Sequence, residues 1–347
     1  MTNIDLKILA ERVVRTQGNR FIKELLREKK IPIGTNKKSF LTNLNKAIDD
    51  GELSPEDFDT WFHKMEGWGN QHVYPFEISS DLEKELNLET IKSRVEKANL
   101  MDVWGGETLL TYPNADGGLQ LTSIVHTGSI LRMIWQEAAL DWARTPQKDI
   151  NKSEGLDDFQ YRAYRKVSER TLNRFEADLE KGLAALFISS PFGNKDHKRN
   201  SDQALEDVKK LIDMEKFYKN AFDVSSISRN LDQKNIPNNK RPNPSVKTQK
   251  SRLSSGGSYV EFGSNSNERS LWKVSPILDV RKSIGKHQIE RFQGTIGAFI
   301  FENDGSIQGL NRRIRIQLYG DQDRVWFRAG MTRDEVWAIL EALKSYS

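Results

Sequence analysis

The stretch Arg312-Arg313-Ile314-Arg315-Ile316-Gln317-Leu318-Tyr319, Gly320-Asp321-Gln322-Asp323, Arg324-Val325-Trp326-Phe327-Arg328-Ala329 decides the fold class. It reads as two strands, Arg312 to Tyr319 and Arg324 to Ala329, closed into a hairpin by a polar turn. Immediately after it, Thr332-Arg333-Asp334-Glu335 is a capping box, and Val336, Ile339, Leu340 and Leu343 follow at helical spacing. Strands joined by hairpins with helices interspersed predict an α+β protein built on antiparallel sheets.

The same grammar extends toward the N-terminus. Ile296 to Phe301 reads as a strand, and Pro276 opens a helix with Ile277, Val280 and Ile284 on one stripe. Residues 233 to 260 hold six basic residues and no acid among Pro237, Pro242, Pro244 and Gly256-Gly257, which predicts a linker or long loop. A helix is expected from about Asp202 to Tyr218, and strands over 158 to 190 with a turn at Leu179 to Gly182. Ile130 to Trp142 fits either helix or strand. Thr108 to Tyr112 and Leu119 to His126 look like a hairpin across Asn114 to Gly118, and Asp81 to Ala98 like one charged helix. Gln71 to Phe76 is expected at a sheet edge, because Pro75 would break a central ladder. The domain boundaries expected are 1–67, helical; 70–230, α+β; 231–260, basic linker; and 261–347, a second α+β part or a continuation of the same body.

Composition narrows the function classes. The 347 residues contain no cysteine, which excludes a disulfide framework, a thiolate nucleophile and a thiolate zinc site. Apolar runs such as Leu183 to Ile188 are too short to span a bilayer, and Met1-Thr2-Asn3-Ile4-Asp5-Leu6 lacks the layout of a signal peptide. A cytoplasmic location is therefore expected, on the nucleoid if the source is bacterial. The net charge of +4 is mild, but its distribution is not even. Between Gly18 and Ile48 eight Lys or Arg face only Glu24 and Glu28, whereas Asp49 to Gly67 has seven acids against Lys64.

The basic stretch has its own architecture. Leu6, Leu9 and Val13 mark a first helix after Asn3 as a cap, and Gly18-Asn19 ends it. A second helix from about Arg20 to Lys29 buries Ile22, Leu25 and Leu26, and Ile31-Pro32-Ile33-Gly34 stops it. A third runs from about Asn36 to Asp50 on Phe40, Leu41, Leu44 and Ile48, and Ser54-Pro55-Glu56-Asp57 caps a fourth. Phe21-Ile22-Lys23-Glu24-Leu25-Leu26-Arg27, Ile31-Pro32, Gly34, Lys37 and Phe40-Leu41 together resemble a SAP motif. Pro32, Lys37, Phe40 and Leu44 keep that family's spacing; Lys30 replaces the usual glycine, Gly34 sits one place early, and Asn43 stands where arginine is frequent. The resemblance, over residues 18–50, implies two short helices flanking an extended loop, with DNA as partner.

Elementary electrostatics points the same way. A helix N-terminus directs N–H groups and a positive dipole end at an anion. Thr35, Asn36, Lys37 and Lys38 lie at that end of the third helix, and Arg27, Lys29 and Lys30 across the loop. These seven residues are the candidate nucleic-acid contacts, with duplex DNA the expected partner. Phosphate contacts of this kind position a protein without reading bases. Arg162, Arg165, Arg170, Arg313 and Arg315 are secondary candidates, since arginines interleaved with aromatics suit phosphate and base stacking as well as an ordinary Arg-rich sheet face. Two further classes stay open. A metal-dependent nuclease would gather Glu176, Asp178 and Glu180 beside Lys181 around Mg²⁺. A protein–protein adaptor would use the acidic helix 54–66. The five histidines show no metal-ligand spacing, and neither a phosphate-binding Gly-Lys-Ser/Thr loop nor a nucleophile elbow occurs, so no cofactor is expected otherwise.

Overall fold

The computed structural model describes residues 1–106, 109–111, 118–145, 148–154, 157–189, 197–234, 244–252, 259–263, 271, 274, 276–277, 279–280 and 296–347. The α+β class holds: ten helices and twelve strands are seen among these residues. The chain divides into two compact units, one of Met1–Asp59, Thr108–Thr122 and Trp135–Leu172, the other of Thr60–Glu107, Ser123–Ile134 and Asn173–Ser347.

Unit 1 begins with α1 (Asn3–Thr16), α2 (Asn19–Glu28) and α3 (Lys37–Asp49), and α4 (Pro55–Met65) starts in it. Their cores are residues that periodicity marks: Leu6, Leu9 and Val13; Ile22, Leu25 and Leu26; Phe40, Leu44 and Ile48, all buried, whereas Leu41, marked as well, is only half-buried. The first cap is Thr2 rather than Asn3, in a reciprocal box with Asp5. Asp57 N–H donates to Ser54 Oγ at 3.4 Å and Ser54 N–H to Asp57 at 2.9 Å, the capping box expected for α4. The unit also holds the two-stranded ribbon β4 (Ile150–Glu154) and β5 (Asp157–Tyr161), every residue of which is exposed.

In unit 2 a ten-stranded sheet runs in the order β2-β3-β6-β7-β1-β12-β11-β10-β8-β9. Its strands are β1 (Gly69–Glu77), β2 (Gln120–Thr127), β3 (Ile130–Arg144), β6 (Tyr164–Asp178), β7 (Leu183–Ser189), β8 (Ser245–Arg252), β9 (Tyr259–Gly263), β10 (Ile296–Phe301), β11 (Ile314–Tyr319) and β12 (Arg324–Gly330). The division between units cuts β2, β3 and β6, so parts of these strands belong to unit 1. The expected hairpin is β11 with β12, antiparallel from Tyr319↔Arg324 to Ile316↔Phe327. Its apolar face, with Val73, Phe187, Phe299 and Phe301, packs under α9 (Val224–Lys234) and the last helix α10 (Arg333–Lys344), which buries Val336, Trp337, Ile339, Leu340 and Leu343. The Thr332–Glu335 capping box opens α10 as expected.

Several local expectations are corrected by long-range pairing. β1 is a central strand, between β7 and β12, although it contains Pro75. Its register with β12 ends at Val73, and beyond that the Phe222 N–H donates to the Pro75 carbonyl at 3.1 Å. The missing proline donor therefore faces an irregular segment, not a strand, and breaks no ladder. The ambiguous Ile130–Trp142 is strand β3. β2 forms its hairpin with β3 across Gly128-Ser129, where Gly128 has φ of 58°; the expected turn at 114–117 and residues 108 and 112 lie outside the described residues. The single helix 81–98 is two, α5 (Ser80–Glu85) and α6 (Leu88–Lys97), because Asn87 caps Thr90 N–H at 2.9 Å. The helix 202–218 likewise splits into α7 (His197–Leu211) and α8 (Met214–Lys219) at the Asp213 cap. Within the stretch read as a linker, Ser245–Arg252 is β8, seated beside β10; residues 235–243 and 253–258, with Gly256-Gly257, lie outside the described residues, as does Ile284 of the expected helix after Pro276.

Candidate nucleic-acid interface

The helix–loop–helix of unit 1 is fixed by backbone geometry at both ends of its loop. α2 ends with Lys29 as C-cap, and Lys30 takes the left-handed conformation at φ 57°. Lys30 N–H donates to the Arg27 carbonyl at 3.0 Å and Ile31 N–H to the Leu26 carbonyl at 2.8 Å, a complete Schellman closure. Ile31 and Leu26, the apolar pair that accompanies this closure, are both buried. Lys30 therefore occupies a position that glycine fills without steric penalty.

The extended run Pro32 to Gly34 then crosses to α3. Asn43 Nδ2 donates to the Pro32 carbonyl at 2.7 Å and so anchors the loop to the helix. A side chain at position 34 would put its Cβ 2.0 Å from Ser39 Oγ, which is why a glycine stands there. Asn36 Oδ1 accepts from Ser39 N–H at 3.0 Å while Asn36 N–H donates to Ser39 Oγ at 3.1 Å. This box leaves the backbone N–H groups of Lys37 and Lys38 without a partner among the described residues.

The seven candidate contacts are all exposed, but they are not equivalent. Lys29 is ion-paired with Asp57 of α4. Burial raises the Asp57 carboxyl, but the Lys29 ammonium and the Ser54 hydrogen bonds outweigh it and hold the group below the usual carboxylate range. Lys37 Nζ donates to the Arg15 carbonyl at the end of α1, at 3.0 Å, and partial burial pulls its pKa down. Asn36 acts as a cap, and Thr35 lies exposed beside it. Arg27, Lys30 and Lys38 form no ion pair or side-chain hydrogen bond among the described residues. These three are the cations available to an outside anion.

The secondary candidates scatter. In unit 1, Arg162 is exposed, Arg165 is paired with Glu11, and Arg170 is buried, bonded to the Thr111 carbonyl at 3.0 Å. In unit 2, Arg313 and Arg315 lie exposed on β11, and Arg313 pairs with Glu302 at 3.2 Å. Arg328 and Trp326 belong to the same arginine–aromatic run, the Arg328 guanidinium lying 4.5 Å from the Trp326 ring centroid, whereas Lys247, close enough to Arg313 and Arg315 to feel their charge, does not. Lys247 gave no signal of its own in the sequence, because it stands in a proline-flanked, loop-like stretch.

Of the three carboxylates of the nuclease alternative, Glu176 and Asp178 are engaged by neighbouring groups. Glu176 is fully buried, with Arg132 Nε on one oxygen and Arg333 Nε on the other, each at 2.8 Å. Asp178, on the same face of β6, accepts from Lys181 N–H at 3.1 Å and lies 3.8 Å from Arg333, while Glu180 is exposed in the turn to β7. Among the described residues no group of three or more His, Cys, Asp or Glu is placed to hold a metal ion. Nor is any described helix long and apolar enough to cross a membrane. Of the acidic helix, Asp57 faces Lys29 and Asp59 accepts from Leu109 N–H at 2.6 Å. No family model, no curated protein and no solved structure matches the chain.

Proposed function

We propose that the helix–loop–helix of unit 1 holds the phosphate backbone of duplex DNA, without base readout, and that the protein acts by binding rather than by catalysis, the α+β body serving as an interaction or sensor platform. One observation carries this: among the described residues Arg27, Lys30 and Lys38 stand exposed and unpaired around a loop whose following helix also leaves two backbone N–H groups open. Three cations, two donors and a positive dipole end suit a phosphodiester chain. The SAP resemblance supports the same assignment from an independent direction. The loop is held at both ends, so little ordering entropy opposes binding.

The test is a salt titration of duplex binding by the full chain. Each phosphate contact contributes a slope of about −0.9 in log K against log salt. The variant carrying Arg27→Ala, Lys30→Ala and Lys38→Ala is expected to bind at least about tenfold more weakly and with a flatter slope. Unchanged affinity and slope in that variant would remove the assignment.

A further inference from the structure

The β4–β5 ribbon of unit 1 is a sheet of two strands, neither of which pairs with a further strand among the described residues. Its register sets Ile150 opposite Tyr161, Lys152 opposite Phe159 and Glu154 opposite Asp157, so these share one face, while Asn151, Gln160, Ser153 and Asp158 share the other. One face is therefore polar throughout, and the other carries Ile150, Phe159 and Tyr161 at 61%, 42% and 52% exposure. Lys152 pairs with Glu154 and Ser153 donates to Asp158, whereas the side chains of Phe159 and Tyr161 make no hydrogen bond, ion pair or ring contact among the described residues. The ribbon is held at its root, where Arg144 and the Ala163 N–H both bind Asp149. A two-stranded ribbon alone is marginal in water; three or more strands with an apolar face are needed. An open edge beside exposed aromatics is a template for another strand.

The side chains choose the occupant. β4 and β5 carry Glu154, Asp157 and Asp158 against Lys152 alone, which repels a polyanion such as nucleic acid. β5, by contrast, complements itself. A twofold axis between two antiparallel copies pairs residues of the same face, so the axis falls at a residue and not between two. Centred on Phe159, the midpoint of β5, all five residues find partners. Phe159 meets Phe159 of the second copy, Asp158 meets Gln160, and Asp157 meets Tyr161. No like charges are opposed, each carboxylate faces a donor, and the central aromatic rings pair. Centred on Asp158, two carboxylates would be opposed; centred on Gln160, both aspartates would face residues beyond the strand. The midpoint of β4 is Lys152, which would face its own charge.

We propose that β5 pairs edge to edge with β5 of a second copy of this chain, about a twofold axis at Phe159, to make one four-stranded antiparallel sheet. The contact is small for a protein interface, so the association is concentration-dependent. It does not rest on the duplex assignment of the helix–loop–helix, and either can fail alone. The experiment is sedimentation equilibrium of the full chain over a range of concentrations, without nucleic acid. A monomer–dimer equilibrium is expected. Phe159→Ser with Tyr161→Ser, both at exposed positions, is expected to raise its dissociation constant about tenfold or more. Because the chain has no cysteine, Phe159→Cys sets a single thiol at the axis. That variant is expected to form a disulfide-linked dimer under mild oxidant, and to do so faster than Lys152→Cys. The proposal is overturned if the wild type is monomeric at every concentration, if the double serine variant dimerises as wild type does, or if Lys152→Cys crosslinks as fast as Phe159→Cys. A monomer whose β5 amides are protected from hydrogen exchange would set the ribbon against its own chain, and overturns it equally.

Discussion

Arg333, in the first turn of α10, donates from Nε to Oε1 of Glu176 on β6 at 2.8 Å, and so ties the last helix of the chain to a strand of the sheet. The other carboxylate oxygen accepts from Arg132 on β3, also at 2.8 Å. Glu176 is completely buried, while the two guanidiniums keep about a fifth of their side-chain surface in water. Removing one partner of a buried pair is strongly destabilising, because the opposite charges stay desolvated without compensation. Glu176→Ala is expected to lower stability by about 3 kcal/mol in urea unfolding. A loss below about 1 kcal/mol, the level of a surface ion pair, would contradict the bridging role.

Lys30 holds a left-handed conformation at the end of α2, φ 57°, where a side chain is unfavourable. Lys30→Gly is expected to stabilise unit 1 by about 1 kcal/mol. The same change removes one of the three unpaired cations, so duplex DNA binding should weaken and its salt slope fall by about 0.9. Denaturation and binding measured on one preparation should move in opposite directions; if they move together, the Lys30 side chain has no separate role.

Gly34 is required by close approach, not by a left-handed angle. Gly34→Ala places a methyl group 2.0 Å from Ser39 Oγ, within the box that caps α3. The cap must open, at about 1–2 kcal/mol. Hydrogen exchange of the first turn of α3 should quicken while α1 is unaffected; unaltered exchange would show that the loop absorbs the methyl group.

At the base of the β4–β5 ribbon the Arg144 guanidinium pairs with Asp149, whose carboxylate also accepts from the Ala163 N–H at 2.9 Å. The Arg144 hydrogen bonds, with that of Ala163, lower the Asp149 pKa to about 2. A folded-state value below the unfolded one of about 3.9 means stabilisation that is present above about pH 4 and lost as pH falls toward 2. Ribbon amide signals should respond over that window in the wild type and not in Asp149→Asn. A response persisting in Asp149→Asn would assign the acid sensitivity to another group.

The local parts of this fold were legible because their causes are local. The boxes at Ser54–Asp57 and Thr332–Glu335 lie within three residues, and the alternation of Ile314, Ile316 and Leu318 is a property of one strand. The helix–loop–helix was equally visible, since Pro32 and the apolar spacings on either side determine it without outside help.

The tertiary structure decided what depends on remote neighbours. Ile130–Arg144 is a strand because it lies between β2 and β6, and Pro75 sits in a central strand because the register with β12 stops two residues earlier. Ser245–Arg252 looks like basic linker in isolation, yet it pairs with β10. The sorting of the arginines and lysines is the strongest case. Composition shows a surplus of cations, whereas only packing separates Lys29 and Lys37, held by Asp57 and the Arg15 carbonyl, from Arg27, Lys30 and Lys38. Charge is a property of the residue, but its availability depends on what the fold brings within a few ångströms of it, because attraction in a protein acts at that range and is screened beyond it.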